Sequence, residues 1–266
     1  MVPIGSDQKL ALSLTGVSKS FGGIDAVVNV DMRVVVGESR ALIGPNGAGK
    51  TTLFGLITGE TVLDKGQIVI FDQDLTREPV QRRIEKGVGR TYQSSNLFMD
   101  MSVRENLFLS VWKRRKGNGG LLSTLFKPWH KYAEQGEQLE QAARQVGLIE
   151  KLETKVKDMS HGEHRQLELA ITLAHQPQAL LLDEPMAGLS ASERIFMTDL
   201  IMELRSSITI LTIEHDIDIA FSLADKVSVL HQGRVISEGT PDEVRANQQV
   251  QEIYTLSKKP NGYGHV

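Results

Sequence analysis

The residues most able to do chemistry are Gly44-Pro45-Asn46-Gly47-Ala48-Gly49-Lys50-Thr51, a full match to G-x-x-x-x-G-K-[ST]. Glycines at this spacing let successive backbone N–H groups turn inward and cradle phosphate oxygens. A helix starting near Lys50 adds its positive end to the cradle. Lys50 supplies a compact charge for the β- and γ-phosphates, Thr51 offers a hydroxyl to Mg²⁺, and Thr52 extends the phosphate-binding set. A merely structural Gly-rich turn does not account for Lys-Thr at this offset. A second signal is Asp183-Glu184, closing the apolar run Leu180-Leu181-Leu182. A buried strand there would deliver Asp183 to orient Mg²⁺ and Glu184 to polarise an attacking water. Such a pair alone is often a solvated turn; joined to the phosphate loop it completes a nucleoside-triphosphate site.

The elements that must hold these residues can be read from hydrophobic patterning. Ala41-Leu42-Ile43 precedes the Gly-rich loop and a helix over Lys50 to Thr58. Ala179 to Leu182 precedes a polar turn and a helix over Ala191 to Arg205, and Ile208 to Ile213 precedes a helix over Asp216 to Leu223. Short continuous apolar runs followed by amphipathic helices predict a buried, mainly parallel sheet with covering helices. Capping boxes mark two helix starts, Ser190-x-x-Glu193 and Thr240-Pro241-Asp242-Glu243. On the first of these helices Phe196, Met197, Leu200, Ile201 and Leu204 form an apolar stripe. Lys226 to Leu230 and Arg234 to Ser237 flank His231-Gln232-Gly233, which predicts a hairpin and so an antiparallel edge. From Gln93 to about Leu173 the periodicity is helical. The expected organisation is a nucleotide-binding α/β core with an antiparallel β part over 10–92 and 174–256, an inserted helical subdomain over 93–173, and mobile tails at 1–9 and 257–266.

Composition narrows the classes. The chain has 266 residues, no cysteine and a net charge of -3. These exclude a disulfide scaffold and thiol chemistry, and they argue against bulk nucleic-acid binding. No uncharged apolar run approaches the ~20 residues that span a bilayer, and the N-terminus lacks the pattern of a secretory signal. The charge is uneven. Between Asn106 and Ala133 lie Lys113, Arg114, Arg115, Lys116, Lys127 and Lys131, no acidic residue, and both tryptophans, Trp112 and Trp129. Basic residues beside tryptophan suit an anionic membrane face or a membrane partner; a solvated elaboration explains them equally well.

A third motif discriminates among phosphate-loop proteins. Met159-Ser160-His161-Gly162-Glu163-His164-Arg165-Gln166 heads a helix in which Leu167, Ala170, Ile171 and Ala174 repeat at i, i+3, i+4, i+7. A guanine-specific GTPase would carry Asn-Lys-x-Asp, and no Asn-Lys dipeptide occurs. A chromosome-maintenance ATPase would place a long coiled coil between its motifs, and no sustained heptads are present. A small-molecule kinase needs no such third motif. Ser160 could be a plain N-cap, and a cap still leaves further amides free for an anion. His161 and His164 superficially resemble metal ligands, without an evident third.

On these motifs the chain resembles the ATP-binding subunits of ABC transporters over roughly Leu12 to Leu256. The family's order is kept: Phe21, the phosphate loop, Gln93, the Ser160 signature, Asp183-Glu184, then Ile213-Glu214-His215-Asp216. The resemblance implies a P-loop NTPase core with a mainly parallel sheet, an antiparallel β edge and the helical insertion of an ABC ATPase cassette. It implies ATP and Mg²⁺, with Phe21 stacking on adenine, Gln93 and His215 assisting Glu184, and Gln93 joining Thr51 and Asp183 at the metal. It also implies a head-to-tail pair in which Ser160, Gly162 and Glu163 of one subunit meet the γ-phosphate held by Lys50 of the other. His161 departs from the usual signature glycine, and Ser190 stands where many relatives carry aspartate.

Arg90-Thr91-Tyr92-Gln93, the M-S-H-G-E-H-R-Q-L-E signature, Ala187-Gly188-Leu189-Ser190 and a tail with Tyr254 resemble the LivG branch. Those are ATPases of branched-chain or hydrophobic amino-acid importers. The branch implies an integral permease, a second ATPase (a copy or a LivF-like sister), indirect coupling to a substrate-binding protein, no nucleic acid, and a peripheral position on the cytoplasmic face of the plasma membrane. The rival expectation is a soluble, non-transport ABC ATPase, or a cassette serving another substrate such as an amide or lipid.

Overall fold

The structure is a computed structural model, and it describes residues 8–91, 97–111 and 133–257. The chain forms two compact units. The first comprises 1–90, 178–185 and 201–266; the second comprises 91–177 and 186–200.

The first unit is built on two sheets. In the antiparallel one, β1 (Leu10–Phe21) lies between β2 (Ile24–Val35) and β4 (Lys65–Ile70), with β5 (Gln73–Asp74) at the edge. The alternation Leu12, Leu14 on β1 and Val30, Met32, Val34 on β2 puts one face into the core. Gly22-Gly23 makes the connecting turn at positive φ, as a two-residue hairpin with a right-handed twist requires. The larger sheet has the order β10-β9-β3-β8-β7-β6, with β3 Ser39–Ile43, β6 Val88–Arg90, β7 Ala179–Asp183, β8 Thr209–Ile213, β9 Lys226–His231 and β10 Arg234–Gly239. Every neighbouring pair is parallel except β9–β10, the antiparallel edge expected from the His231-Gln232-Gly233 turn. β3, β7 and β8 are buried along their whole length, which is why they read as unbroken apolar runs.

Two helices and a strand bring polar groups into this core. α1 (Lys50–Thr58) follows the phosphate loop and ends at Gly59 in the left-handed region. α2 (Val80–Glu85) carries Arg83, whose buried guanidinium donates to the Leu56 and Ile57 carbonyls at 2.6 Å each, and so closes the C-terminal end of α1. Arg40 on β3 is likewise buried and bonds Glu38 at 2.5 Å and Glu238 at 2.7 Å.

The second unit is helical. α3 (Val103–Val111), α4 (Ala133–Gln145) and α5 (His161–Leu173) pack on one another, with Val103, Leu107, Ala143, Val146, Leu167 and Ala170 buried. Buried Asn106 accepts from the Phe98 N–H at 2.9 Å and donates to the Phe98 and Ser102 carbonyls, tying the start of α3 to the segment before it. α6 (Ala191–Leu204) starts with the predicted Ser190–Glu193 box. Its buried stripe is narrower than the periodicity suggests. Met197, Leu200, Ile201 and Leu204 are buried, but Phe196 is 44 % exposed and touches Gly147. α7 (Ile217–Leu223), α8 (Pro241–Ala246) and α9 (Gln248–Ser257) belong to the first unit, α8 with the predicted Thr240–Glu243 capping box and its proline in the first turn.

Candidate functional site

A parallel sheet gathers the carboxyl ends of its strands along one edge, where loops are free to bind. Here β3 ends in the Gly-rich loop, β6 in Arg90, β7 in Asp183-Glu184, and β8 leads to Glu214-His215. Register fixes this convergence: Leu42 pairs with Ile213, and Asp183 pairs with Ile213 from the other side.

The loop's glycines are required at specific points. Gly44 has φ +154, and a Cβ there would lie 2.1 Å from the Leu230 carbonyl oxygen. At Gly49, with φ +102, a Cβ would lie 2.2 Å from the Ala26 carbonyl oxygen. Both obstacles are backbone, so neither can give way. The Lys50 ammonium donates to the carbonyls of Gly44 at 2.8 Å and Pro45 at 3.1 Å, bracing the loop from within. Burial lowers its pKa, while Glu184 and Asp183 pull in the opposite direction. Asn46, Gly47 and Ala48 form the crest of the same loop, and Thr51 and Thr52 open α1 with Thr51 exposed.

Asp183 is 2 % exposed. Its Oδ2 accepts from Arg90 at 2.8 Å, while Oδ1 is buried without a hydrogen-bond partner. Desolvation raises its pKa, and the Arg90 guanidinium opposes the rise. Arg90 also pairs with Glu60 at 2.7 Å and lies over the Phe54 ring. Glu184 has φ +52, a left-handed conformation costly for a side-chain-bearing residue, held by its N–H bond to the Ile213 carbonyl at 3.0 Å. The Oε1 of Glu184 meets His215 Nε2 at 2.7 Å. A strained acidic residue thus stands beside a histidine at the strand end next to the phosphate loop.

Phe21 ends β1 next to the Gly22-Gly23 turn and is 50 % exposed, with the Lys19 ammonium 5.2 Å from its ring centre. It is therefore available to stack and is not a core residue. In the second unit Ser160 is the N-cap of α5, its hydroxyl accepting from the Glu163 N–H at 3.2 Å while Glu163 accepts from the Ser160 N–H at 2.9 Å. The Gly162 N–H is bonded to Glu193. His161 lies against Gly188, and His164 bonds the Val156 carbonyl at 2.8 Å through Nε2. Gln93, Tyr92, Trp112, Trp129 and the basic residues from Lys113 to Lys131 lie outside the described residues.

Two participants were not singled out by motif. Arg90 was read only as part of a marker stretch, although an arginine closing the strand beside the one that ends in Asp183 was the available signal. Tyr254 on α9 packs against the cluster containing Ile43 and Val229. Its hydroxyl is met by the Gly44 N–H; burial outweighs that bond and pushes its pKa up to about 12.

Comparison with known proteins agrees with this geometry. Residues 27–187 match the ABC transporter family model, and residues 234–255 match a model described as branched-chain amino acid ATP-binding cassette transporter. The chain is 39 % identical to the high-affinity branched-chain amino acid transport ATP-binding protein LivG of Escherichia coli K12, over 91 % of this chain and 96 % of that protein. It is 36 % identical over the same shares to BraF of Pseudomonas aeruginosa, which carries the same description. A crystal structure of the ADP conformation of MJ1267, an ATP-binding cassette of an ABC transporter, matches with a TM-score of 0.81 and 29 % identity, covering 92 % of this chain and 98 % of that one. On these matches the chain belongs to the ABC transporter family as an ATP-binding cassette ATPase.

Proposed function

We infer that this chain is the ATP-hydrolysing subunit of an importer for branched-chain or other hydrophobic amino acids, driving a separate integral permease from the cytoplasmic face of the membrane. Among the described residues no helix is long and apolar enough to cross a membrane, so a pore would have to come from another subunit. The observation that carries the substrate class is the match of residues 234–255 to the branched-chain amino acid cassette model.

In this reading Phe21 stacks on adenine and the loop from Gly44 to Thr52 holds the phosphates. Lys50 exchanges the carbonyls of Gly44 and Pro45 for phosphate oxygens. The donor set suits Mg²⁺: an exposed threonine hydroxyl at Thr51, the orphaned buried oxygen of Asp183, and Gln93 from the following loop. The ion, when bound, neutralises phosphate charge. Glu184 leaves His215 to orient a water for attack on the γ-phosphorus, and His215 is then free to donate to a phosphate oxygen. A second ATPase subunit, a copy or a sister, contributes Ser160, Gly162 and Glu163 across the nucleotide, and ATP favours the closed pair over the open one. The helical unit, with Gln93 near its start, transmits closure to the permease.

The decisive experiment compares Glu184→Gln and Lys50→Ala in the purified transport complex. Glu184→Gln should bind ATP, retain it and stall, and Lys50→Ala should lose tight nucleotide binding. Wild-type turnover by Glu184→Gln would refute the role of Glu184. Amino-acid-stimulated turnover in proteoliposomes tests the substrate class, and stimulation by amides or lipids in place of hydrophobic amino acids would overturn it.

A further inference from the structure

The N-terminus of α5 already holds an anion from its own chain. Glu193, in the first turn of α6, directs Oε1 at the Gly162 N–H at 3.1 Å and the Ser160 hydroxyl at 3.3 Å. Its other oxygen, Oε2, accepts from the Ser190 N–H at 2.9 Å and the Ser190 hydroxyl at 2.7 Å. One carboxylate therefore bridges the starts of two helices. The fit is close: a Cβ at residue 162 would lie 2.3 Å from Oε1. Only glycine at that position admits the carboxylate.

Ser160 and Gly162 are the groups assigned above to the γ-phosphate of the opposing subunit. Donors at a helix start attract any anion, and carboxylate and phosphate compete for them. The competitor is poised to leave, because beside it lies a cavity of about 260 Å³ lined by Gln166, Ser192 and Phe196 among others. The four hydrogen bonds hold the carboxyl of Glu193 below its ordinary pKa, those from Ser190 contributing most. It is therefore ionised at neutral pH. The other acid here, Glu163, is occupied with the Ser160 N–H and Lys151, and does not reach the Gly162 amide.

We propose that Glu193 is an internal placeholder for the γ-phosphate: its carboxylate occupies the signature amide and must be displaced before ATP can join two subunits. Displacement breaks the Oε1 bonds to Gly162 and Ser160 while Oε2 stays on Ser190, so phosphate arrival at α5 is felt at the start of α6. The role rests on the ATP-sandwich reading given above and concerns a residue outside its assigned machinery.

The test uses the transport complex in the Glu184→Gln background, in which ATP retained through rapid desalting reports closure. Glu193→Gln keeps the capping box, which glutamine also satisfies, but removes the charge. The half-saturating ATP concentration should fall roughly five- to tenfold, the size of one charge contact at a partly buried helix terminus. Glu193→Asp keeps the charge but is too short to reach both Ser190 and Gly162, and it should lower half-saturation as well. Unfolding temperatures of the nucleotide-free proteins show that the variants fold. An unchanged or raised half-saturation in Glu193→Gln overturns the placeholder role, as does an aspartate variant that behaves like wild type. If the Glu184→Gln parent retains no ATP at any concentration, the sandwich reading fails and takes this role with it; if the parent closes normally, only the role of Glu193 is at stake.

Discussion

Replacing Arg90 by methionine keeps bulk and removes charge at the point where the sheet edge is most vulnerable. Arg90 donates to Asp183 Oδ2 at 2.8 Å, and both side chains are nearly buried. Removing one member of a buried pair strands the other, at a cost of about 3–5 kcal/mol. The second contact, to the more exposed Glu60, adds at most ~1 kcal/mol. For a chain of this size each kcal/mol moves the melting temperature by about 2–4 °C, so Arg90→Met should melt roughly 10 °C below wild type at pH 7.5. The pH dependence is the sharper test. Desolvation already raises the pKa of Asp183, and losing Arg90 raises it further. An acid whose folded pKa lies above its unfolded value is penalised while charged, and the penalty fades as pH falls through the folded pKa toward the unfolded one. The variant's deficit should therefore shrink on acidification from pH 7.5 to 5, whereas Mg·ATP binding should weaken over the same interval because a protonated Asp183 cannot ligate. Urea denaturation and calorimetric titration at matched pH values measure both. A deficit independent of pH would refute the idea that a stranded Asp183 charge is its source.

Four further outcomes follow from the same geometry. Phe21→Ala should leave the unfolding temperature nearly unchanged, since the ring is half exposed, while Mg·ATP binding by calorimetry weakens by about 1–3 kcal/mol, the worth of one stacked base. Gly44→Ala should destabilise by about 3 kcal/mol or more, because its Cβ would meet the Leu230 carbonyl. At Gly47, where nothing lies within 4 Å, alanine should cost only the left-handed backbone penalty of about 1–2 kcal/mol; equal urea midpoints for the two variants would contradict this. Arg83→Met should cost about 3 kcal/mol by leaving the Leu56 and Ile57 carbonyls without their buried donor, measured by denaturant midpoint. Tyr254 has its pKa pushed up to about 12 from 10.0, so its contribution to stability is complete below pH 10 and is lost as pH rises toward 12. Tyr254→Phe should flatten that part of the stability-versus-pH curve.

What could be read from the sequence was what local pattern determines. The runs at Ala41, Ala179 and Thr209 announced buried strands because both of their faces are covered. The loop at Gly44 to Thr51 was legible because backbone amides impose a spacing. The antiparallel sheet of β1, β2, β4 and β5 was harder to see, although Gly22-Gly23 between alternating apolar residues is a hairpin signal. There Phe21 drew notice as an aromatic instead of as a strand end. Phe196 joined the apolar stripe by periodicity but is exposed, since only tertiary packing decides how wide a helix face is covered. Arg90, Arg83 and Tyr254 have partners that are not legible in the sequence, for a related reason. Each acts on a residue distant in sequence, Asp183, Leu56 and Gly44, and no local spacing encodes such partners. Glu193 was visible as a capping residue, but its second oxygen answers to a different helix.

In the proposed ATP sandwich, the groups assigned to the nucleotide are already engaged by the protein itself, each within its own unit. Lys50 sits on the carbonyls of its own loop, Asp183 on Arg90, Glu184 on His215, and Gly162 on Glu193. Nucleotide binding at these groups is then an exchange of partners, with Asp183 Oδ1, unpaired among the described residues, kept for the metal. Exchange keeps buried charges satisfied before the ligand arrives, which avoids the desolvation cost of an unpaired group. It also means that each contact contributes only the difference between its internal and its external partner. A ligand shifts a conformational equilibrium only by such differences. An ATPase that must close on ATP and reopen after hydrolysis is served by small differences spread over several groups, since a single dominant contact would make reopening slow. Weakening the hold of Glu193 on Gly162 should therefore tighten ATP retention and slow release, a trade that a cassette with pre-exposed signature amides would not show.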